Sequence, residues 1–364
     1  MTQNKKADEE SPPAGPSRPA RLLDVARLAK VSRATAARAL GGYGLVTEET
    51  RERVAAAART LNYRLNEAAR AMRAGRTQVI GVVLADISNS FFASAARAII
   101  DTCASLGYQT LIVNTDDDLK TEIEAVQTLM EKRVAGMIVV PSSPDHNEHL
   151  QKAGAGEGRM VLLDRRIADI PVSAVTTDDR GGAREAVELF IARRHTRIGL
   201  VVLTAAATSH RQSEPRGAVS SARDRVLGAR EALAAAGLDL PKDWLRYTPN
   251  NPQMIIDAAT SILSADPRPT AILATCEEIA IGVLAACRAL NLAVGRDVAL
   301  ISFDESPWSG ALTPAISVVQ RPIHEMGRAA VNLLVRQIQG GEAGRDVEMP
   351  TILIDRESVF DLAP

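Results

Sequence analysis

Aromatic side chains are scarce in this chain: five Phe, four Tyr and two Trp amount to 3% of 364 residues. The cores must therefore be built from Ala, Val, Leu and Ile, and the placement of each aromatic carries information. Three cysteines, Cys103, Cys276 and Cys287, are odd in number and not in CxxC spacing. That argues against a disulfide framework or a zinc site and fits a reducing cytosol, with the thiols as small core fillers. No apolar run approaches the roughly 18 residues of a membrane span. The N-terminal MTQNKKADEESPPAGPSRPA lacks the apolar stretch of a secretory signal, so a cytoplasmic, nucleoid-associated protein without a membrane partner is expected. Signatures of catalysis are missing too: there is no GxxxxGK[ST], HExxH, GxSxG or strand-following GxGxxG. No catalytic residue, metal site or cofactor is expected. His146 and His149 lie in the polar run PSSPDHNEH and are expected to face solvent, and His195 to cap a helix end.

An excess of charge of either sign is also lacking, with 43 Lys/Arg against 44 Asp/Glu. The near-zero sum conceals segregation. Residues 1–19, rich in Pro and without apolar periodicity, read as a disordered tail carrying three charges of each sign. Residues 20–77 hold twelve Arg/Lys against five Asp/Glu, a net of +7, which leaves −8 for residues 78–364. A small basic module joined to a large acidic one is the footprint of a protein that meets phosphate with one part only.

The basic module reads as three short helices. Val25, Ala26, Leu28 and Ala29 form the apolar face of the first. Ser32 caps a second, with Thr35, Ala36, Ala39 and Leu40 facing inward. Thr47 caps a third, TEETRERVAAAARTL, whose first turn is acidic. Two short helices joined by a tight turn make a helix-turn-helix, whose second helix can enter a major groove. From residue 78 the pattern changes. QVIGVVLA, QTLIVN, AGMIVVP and RMVLLD, and then TRIGLVVL, TAILATC and DVALISFD, alternate with amphipathic helices. Such alternation predicts parallel sheets covered by helices on both faces, and the similar openings QVIGVV and TRIGLV point to two similar halves. Ligands on such sheets sit beyond the carboxyl ends of the strands. Asp86, Ser88, Asn89, Phe91, Asn114, Asp164, Arg165, Cys276, Glu277 and Asp304 fall there.

LLDVARLAKVSRATAARAL and its continuation through Thr50-Arg51, Val54 and Asn62-Tyr63 resemble the N-terminus of LacI/GalR-family transcriptional repressors, and the resemblance runs to about residue 355. It implies a helix-turn-helix DNA-binding domain over 20–65 and a hinge helix or linker over 66–77. It also implies a periplasmic-binding-protein-like bilobed core over 78–364, with halves 78–176 plus 321–350 and 177–320 plus 351–364. By the same resemblance Ser32, Arg33, Ala34, Thr35 and Arg38 face operator DNA. Arg33 is then placed to read guanine, Ala34 to offer apolar contact, and Ser32 and Arg38 to meet phosphate or the groove edge. Asn66, Ala69 and Met72 fall on the hinge, with Met72 where the family inserts a leucine wedge into the minor groove. SSARDRVLG resembles the family's pocket motif; Arg225, Asp304 and Gln320 match contact positions, with Trp308 as a stacking wall. Lys30, Ala37 and Leu65 replace the family's usual glycine, serine and proline, and Cys276-Glu277 stands where Asn-Asp is usual.

The resemblance implies a ligand-responsive repressor bound to double-stranded operator DNA. Its effector is expected to be a sugar, sugar phosphate or sugar acid held by Asn89, Phe91, Arg165, Arg225, Glu277, Asp304, Trp308 and Gln320. A homodimer is expected, because the chain ends DRESVFDLAP without the leucine-heptad helix of the family's tetramers. Two alternatives share the fold: a sugar-binding transport protein, disfavoured by the basic 20–77 segment, and a cytosolic enzyme, disfavoured by the missing motifs.

Overall fold

The computed structural model describes residues 20–41, 44–63, 77–155, 159–168, 170–204, 218–341 and 346–363. The hinge residues Asn66, Ala69 and Met72 lie outside them. The chain divides into two compact units, Met1–Thr77 and Gln78–Pro364.

The first unit contains α1 (Leu22–Leu28), α2 (Arg33–Gly41) and α3 (Glu48–Thr60). Their shared core is Val25, Ala26, Ala29, Ala36, Ala39, Val54, Ala57 and Ala58, six alanines among eight residues. Side chains this small let short helices pack closely without aromatic filling. The turn between α1 and α2 needs one left-handed residue, and Lys30 supplies it at φ 53°. A lysine there carries a steric cost that glycine would avoid. Ser32 starts α2: its Oγ accepts the Thr35 amide at 3.0 Å. Thr47 starts α3 in the same way, accepting the Thr50 amide at 3.4 Å.

The second unit is built on two six-stranded sheets. The first holds β1 (Val79–Leu84), β2 (Gln109–Asn114), β3 (Gly136–Val139), β4 (Met160–Leu163), β5 (Ser173–Thr177) and β11 (Val347–Met349), in the order β11-β5-β4-β3-β1-β2 and parallel throughout. The second holds β6 (Ile198–Leu203), β7 (Leu245–Thr248), β8 (Ala271–Ala274), β9 (Ala299–Phe303), β10 (Ser317–Gln320) and β12 (Ile352–Ile354), in the order β12-β10-β9-β8-β6-β7. Here β12 runs antiparallel to β10, so this sheet is not parallel throughout as its apolar runs implied. Each sheet is buried on both faces, which is why β1, β3, β4, β8 and β9 are continuous apolar runs rather than alternating ones.

Eight helices cover the sheets among the described residues: α4 (Ser90–Ser105), α5 (Leu119–Glu131), α6 (Glu148–Gly154), α7 (Asp179–Ala192), α8 (Ser220–Ala235), α9 (Pro252–Leu263), α10 (Glu277–Ala289) and α11 (Ile323–Ile338). The chain passes between sheets after β5, after β10 and between β11 and β12, so three strands connect two lobes. In the second lobe α7 and α8 approach so closely that a Cβ at Gly228 would stand 2.0 Å from the Arg180 carbonyl oxygen. Only glycine permits that contact.

Two histidines differ from the sequence expectation. His149 does not face solvent: its Nε2 lies 2.6 Å from Oε1 of the buried Glu122, whose Oε2 accepts the Ser142 amide at 2.6 Å. His195 is fully buried; its Nε2 donates to the Phe360 carbonyl at 2.9 Å, and Nδ1 lies 3.0 Å from Thr270 Oγ1. Burial pushes His195 below its ordinary value, against the opposing pull of the Phe360 carbonyl and Asp361. The unfolded chain therefore takes up a proton that the folded chain refuses. This part of the stability is complete above about pH 6.5 and is lost as the pH falls below it. The wild-type melting temperature should fall between about pH 7.5 and 5.5, and His195→Gln should flatten that decline; an unchanged slope in the variant would assign the titration to another group.

Candidate functional site

The first unit presents Ser32, Arg33, Ala34 and Arg38 to solvent on one face of α2, with Thr35 half-buried behind them. The Ser32 hydroxyl is spent on capping, since it also lies 2.9 Å from Thr35 Oγ1. Arg38 donates weakly to the Ala34 carbonyl at 3.4 Å. Arg33, at the exposed N-terminus of α2, makes no hydrogen bond or ion pair among the described residues. An arginine with its whole fork unspent can address a base edge bidentately, and the helix N-terminus adds its own attraction for phosphate.

The second unit holds a cleft between its lobes. It is lined by Asn89, Phe91 and Phe92 at the start of α4, Asp164 and Arg165 after β4, Ser221, Ala222 and Arg225 on α8, Thr275 and Cys276 after β8, Asp304 after β9 and Arg321 after β10. Asp164 and Asp304 occupy equivalent places in the two lobes and share a left-handed backbone, at φ 67° and 69°. Aspartate tolerates that conformation better than most residues.

Three buried arginines dominate the cleft, and each is paired with carboxylate and laid on a phenylalanine. Arg165 is bound by both oxygens of Asp117 and donates to the Pro141 carbonyl at 3.0 Å, with its guanidinium 5.9 Å from the Phe92 ring centre. Arg225 donates to Asp179 at 2.8 Å and to the Thr275 carbonyl at 2.5 Å, 4.3 Å over Phe303. Arg321 grips Asp304 bidentately at 2.7 and 2.8 Å and reaches Asp164 at 2.5 Å, 3.7 Å over Phe91. Three of the chain's five phenylalanines are thus placed under arginines.

Burial alone would raise Asp164, but Arg321, Arg165 and Arg225 together hold it below the usual carboxylate range. For Asp179 burial wins over Arg225 and Arg321, and its carboxyl is pushed up. Burial and the neighbouring Glu278 push the Cys276 thiol well up, so it is a neutral wall of the cleft rather than a nucleophile. The space left among these groups is about 60 Å³, room for about two water molecules.

The expected cleft residues divide. Asn89, Phe91, Arg165, Arg225 and Asp304 line one cavity. Glu277, Trp308 and Gln320 do not. Glu277 opens α10 and faces the rim, where it accepts from Ser90 Oγ and, at 2.6 Å, from Trp308 Nε1. The Trp308 ring packs against the second lobe's core and is not among the residues lining the cleft. Gln320 is displaced by strand alternation: neighbouring residues face opposite ways, and Arg321, one position on, enters the cleft. Gln320 lines a separate cavity beside the crossovers with Ser94, Pro322, His324 and Glu325. Arg321, Phe92, Ser221, Thr275 and the supporting Asp117 and Asp179 were missed; the one available signal was an arginine directly before Pro322, at the end of a short strand.

Fold and cleft together define a class, a small helical DNA-reading module joined to a two-lobed ligand-binding α/β core. Residues 21–66 match the bacterial regulatory proteins of the lacI family, and residues 187–359 match a periplasmic binding protein-like domain. The chain is 32% identical over 341 residues to the ribose operon repressor of Bacillus subtilis (strain 168), covering 93% of this chain and 98% of that protein. It is 29% identical over 315 residues to catabolite control protein A of Priestia megaterium, covering 86% and 91%. The solved Lac repressor dimer bound to operator and the anti-inducer ONPF shares the fold, with a TM-score of 0.81, 24% identity, and coverage of 94% of this chain and all of that one. The chain belongs to the LacI family of bacterial regulatory proteins and is a DNA-binding transcriptional repressor.

Proposed function

We propose that this repressor acts in the cytoplasm as a homodimer on a pseudo-palindromic operator and that its effector is a neutral sugar. One observation carries the effector class: among the described residues, every arginine of the cleft already holds an aspartate. Arg165, Arg225 and Arg321 face Asp117, Asp179, Asp164 and Asp304, leaving the cluster one negative charge in excess. A phosphate or carboxylate brought there would meet carboxylates rather than open guanidinium forks. Sugar hydroxyls both donate and accept, and so can share these charged groups without displacing net charge. The similarity to a ribose operon repressor supports the same class. Among the described residues of the cleft none is an activated nucleophile, which favours binding over catalysis.

On the DNA side, Arg33 reads a base, Ala34 touches an apolar base edge, and Ser32, Thr35 and Arg38 position the helix. Asn66, Ala69 and Met72 form the minor-groove hinge, as the family resemblance implies.

A thermal-shift screen tests the effector class. A neutral sugar at about a hundred times its Kd should add about 2.7 kcal/mol of stability. D-Ribose and related neutral sugars are expected to raise the melting temperature, while sugar phosphates and sugar acids leave it unmoved. Stabilisation by an anionic sugar alone would overturn the proposal.

A further inference from the structure

The bonds that join the lobes fall into two groups. At the rim, Arg166 donates to Asp224 at 3.0 Å, the Arg166 amide to Ser220 Oγ at 2.9 Å, and Asn250 to Asp86 at 3.0 Å; these are at least partly exposed. Asn89, half-buried, reaches Glu278 at 2.5 Å. In the interior stands, among the described residues, a single buried ion pair between the lobes, from Arg321 at the end of β10 to Asp164 at the end of β4. Around that guanidinium the chain has built what a planar cation requires. Two carboxylates, one from each lobe, approach its edge, and the Phe91 ring covers its face at 3.7 Å. Arg321 also borders both the cleft and a cavity of about 430 Å³ beside the crossovers, so it forms the wall between them.

We propose that Arg321 is an internal ligand: Asp164, Asp304 and Phe91 form a guanidinium-binding site, and the arginine seated there latches the two lobes in the effector-free protein. Three features support it. Asp304 and Arg321 follow strands of the second sheet, whereas Asp164 and Phe91 follow strands of the first, so the guanidinium is the only buried cation among the described residues that bonds carboxylates of both lobes. Without it, two buried carboxylates would face each other across the cleft and drive the lobes apart. The remaining space of about 60 Å³ is far below the roughly 300 Å³ of the smallest ordinary ligand pockets. An effector must therefore part the lobes, and taking Asp164 from Arg321 is the step that does so. The latch makes the cleft selective for ligands that offer paired donors to Asp164 and Asp304, as adjacent hydroxyls do.

The latch is testable without knowing the effector. The native cysteines are buried, so spin labels can be directed to Lys132→Cys on the first lobe and Ala289→Cys on the second, both exposed. In the full-length protein without added sugar a single, narrow inter-lobe distance distribution is expected. Arg321→Ala should shift and broaden it, and methylguanidinium should restore the narrow distribution in that variant. It should have no effect when Asp164→Asn is added. Should Arg321→Ala not fold, Asp164→Asn alone decides, because it keeps the Arg321–Asp304 pair and removes only the cross-lobe charge; it too should open the core. A wild-type distance in folded Arg321→Ala or in Asp164→Asn, or no response of Arg321→Ala to methylguanidinium, would overturn the latch. None of these outcomes depends on which sugar binds, so they leave the effector class to its own test.

Discussion

Replacing Arg225 by methionine should abolish the effector response and destabilise the core by about 3–5 kcal/mol, the usual consequence of removing one partner of a buried ion pair. Arg225 is the counter-ion of Asp179, which is 2% exposed, and it also donates to the Thr275 carbonyl and lies on Phe303. The loss is tempered because burial already pushes the Asp179 carboxyl up, so it can take a proton when its partner leaves. Stability and response can be separated by a second change. Arg225→Met with Asp179→Leu removes both charges and should recover most of the stability in urea titrations without recovering the response. If the single variant still responds normally to effector, the binding site lies elsewhere.

The second large effect belongs to the DNA-facing helix. Arg33→Ala should lower affinity for the best operator by about 1–3 kcal/mol per half-site and relax the preference at one base pair of each. Among the described residues Arg33 has no partner that would redirect its loss into unfolding, so the melting temperature of the variant should stay near that of wild type. Arg38→Ala, at an exposed position that the family resemblance assigns to phosphate or the groove edge, provides the contrast: a uniform weakening across sequences and a shallower salt dependence. Binding competition among operator variants distinguishes the two. An equal loss on every sequence would make Arg33 a phosphate contact.

The features visible from sequence were those with local causes. The segregated charge, the caps at Ser32 and Thr47 and the long apolar strands follow from neighbouring residues, and each appears where the periodicity puts it. The strands β5, β7, β10 and β11 lack that signature because they are three to five residues long and carry Thr, Ser, Arg or Glu, and β12 because it is only three residues long. Their pairing is decided by partners far along the chain. The cleft was visible where a charged residue ends a largely apolar run, as at Asp304 and Arg165. It was misjudged by one residue at Gln320, where the strand is four residues long and facing depends on register. No local pattern announces that Arg321 belongs with Asp164, 157 positions away. His149 was misplaced for a similar reason: its polar neighbours are exposed, but its partner Glu122 is a buried helix residue 27 positions earlier.

Coupling between the DNA-reading helix and the effector cleft is tested by operator affinity measured with and without sugar. With an operator selected from random DNA and salt held constant, at least one neutral sugar should shift the wild-type Kd by about fivefold or more, the lower end of ordinary allosteric coupling. The same sugar should leave the Kd of Arg225→Met unchanged. A sugar that binds the core by calorimetry yet leaves wild-type operator affinity unmoved would contradict the coupling.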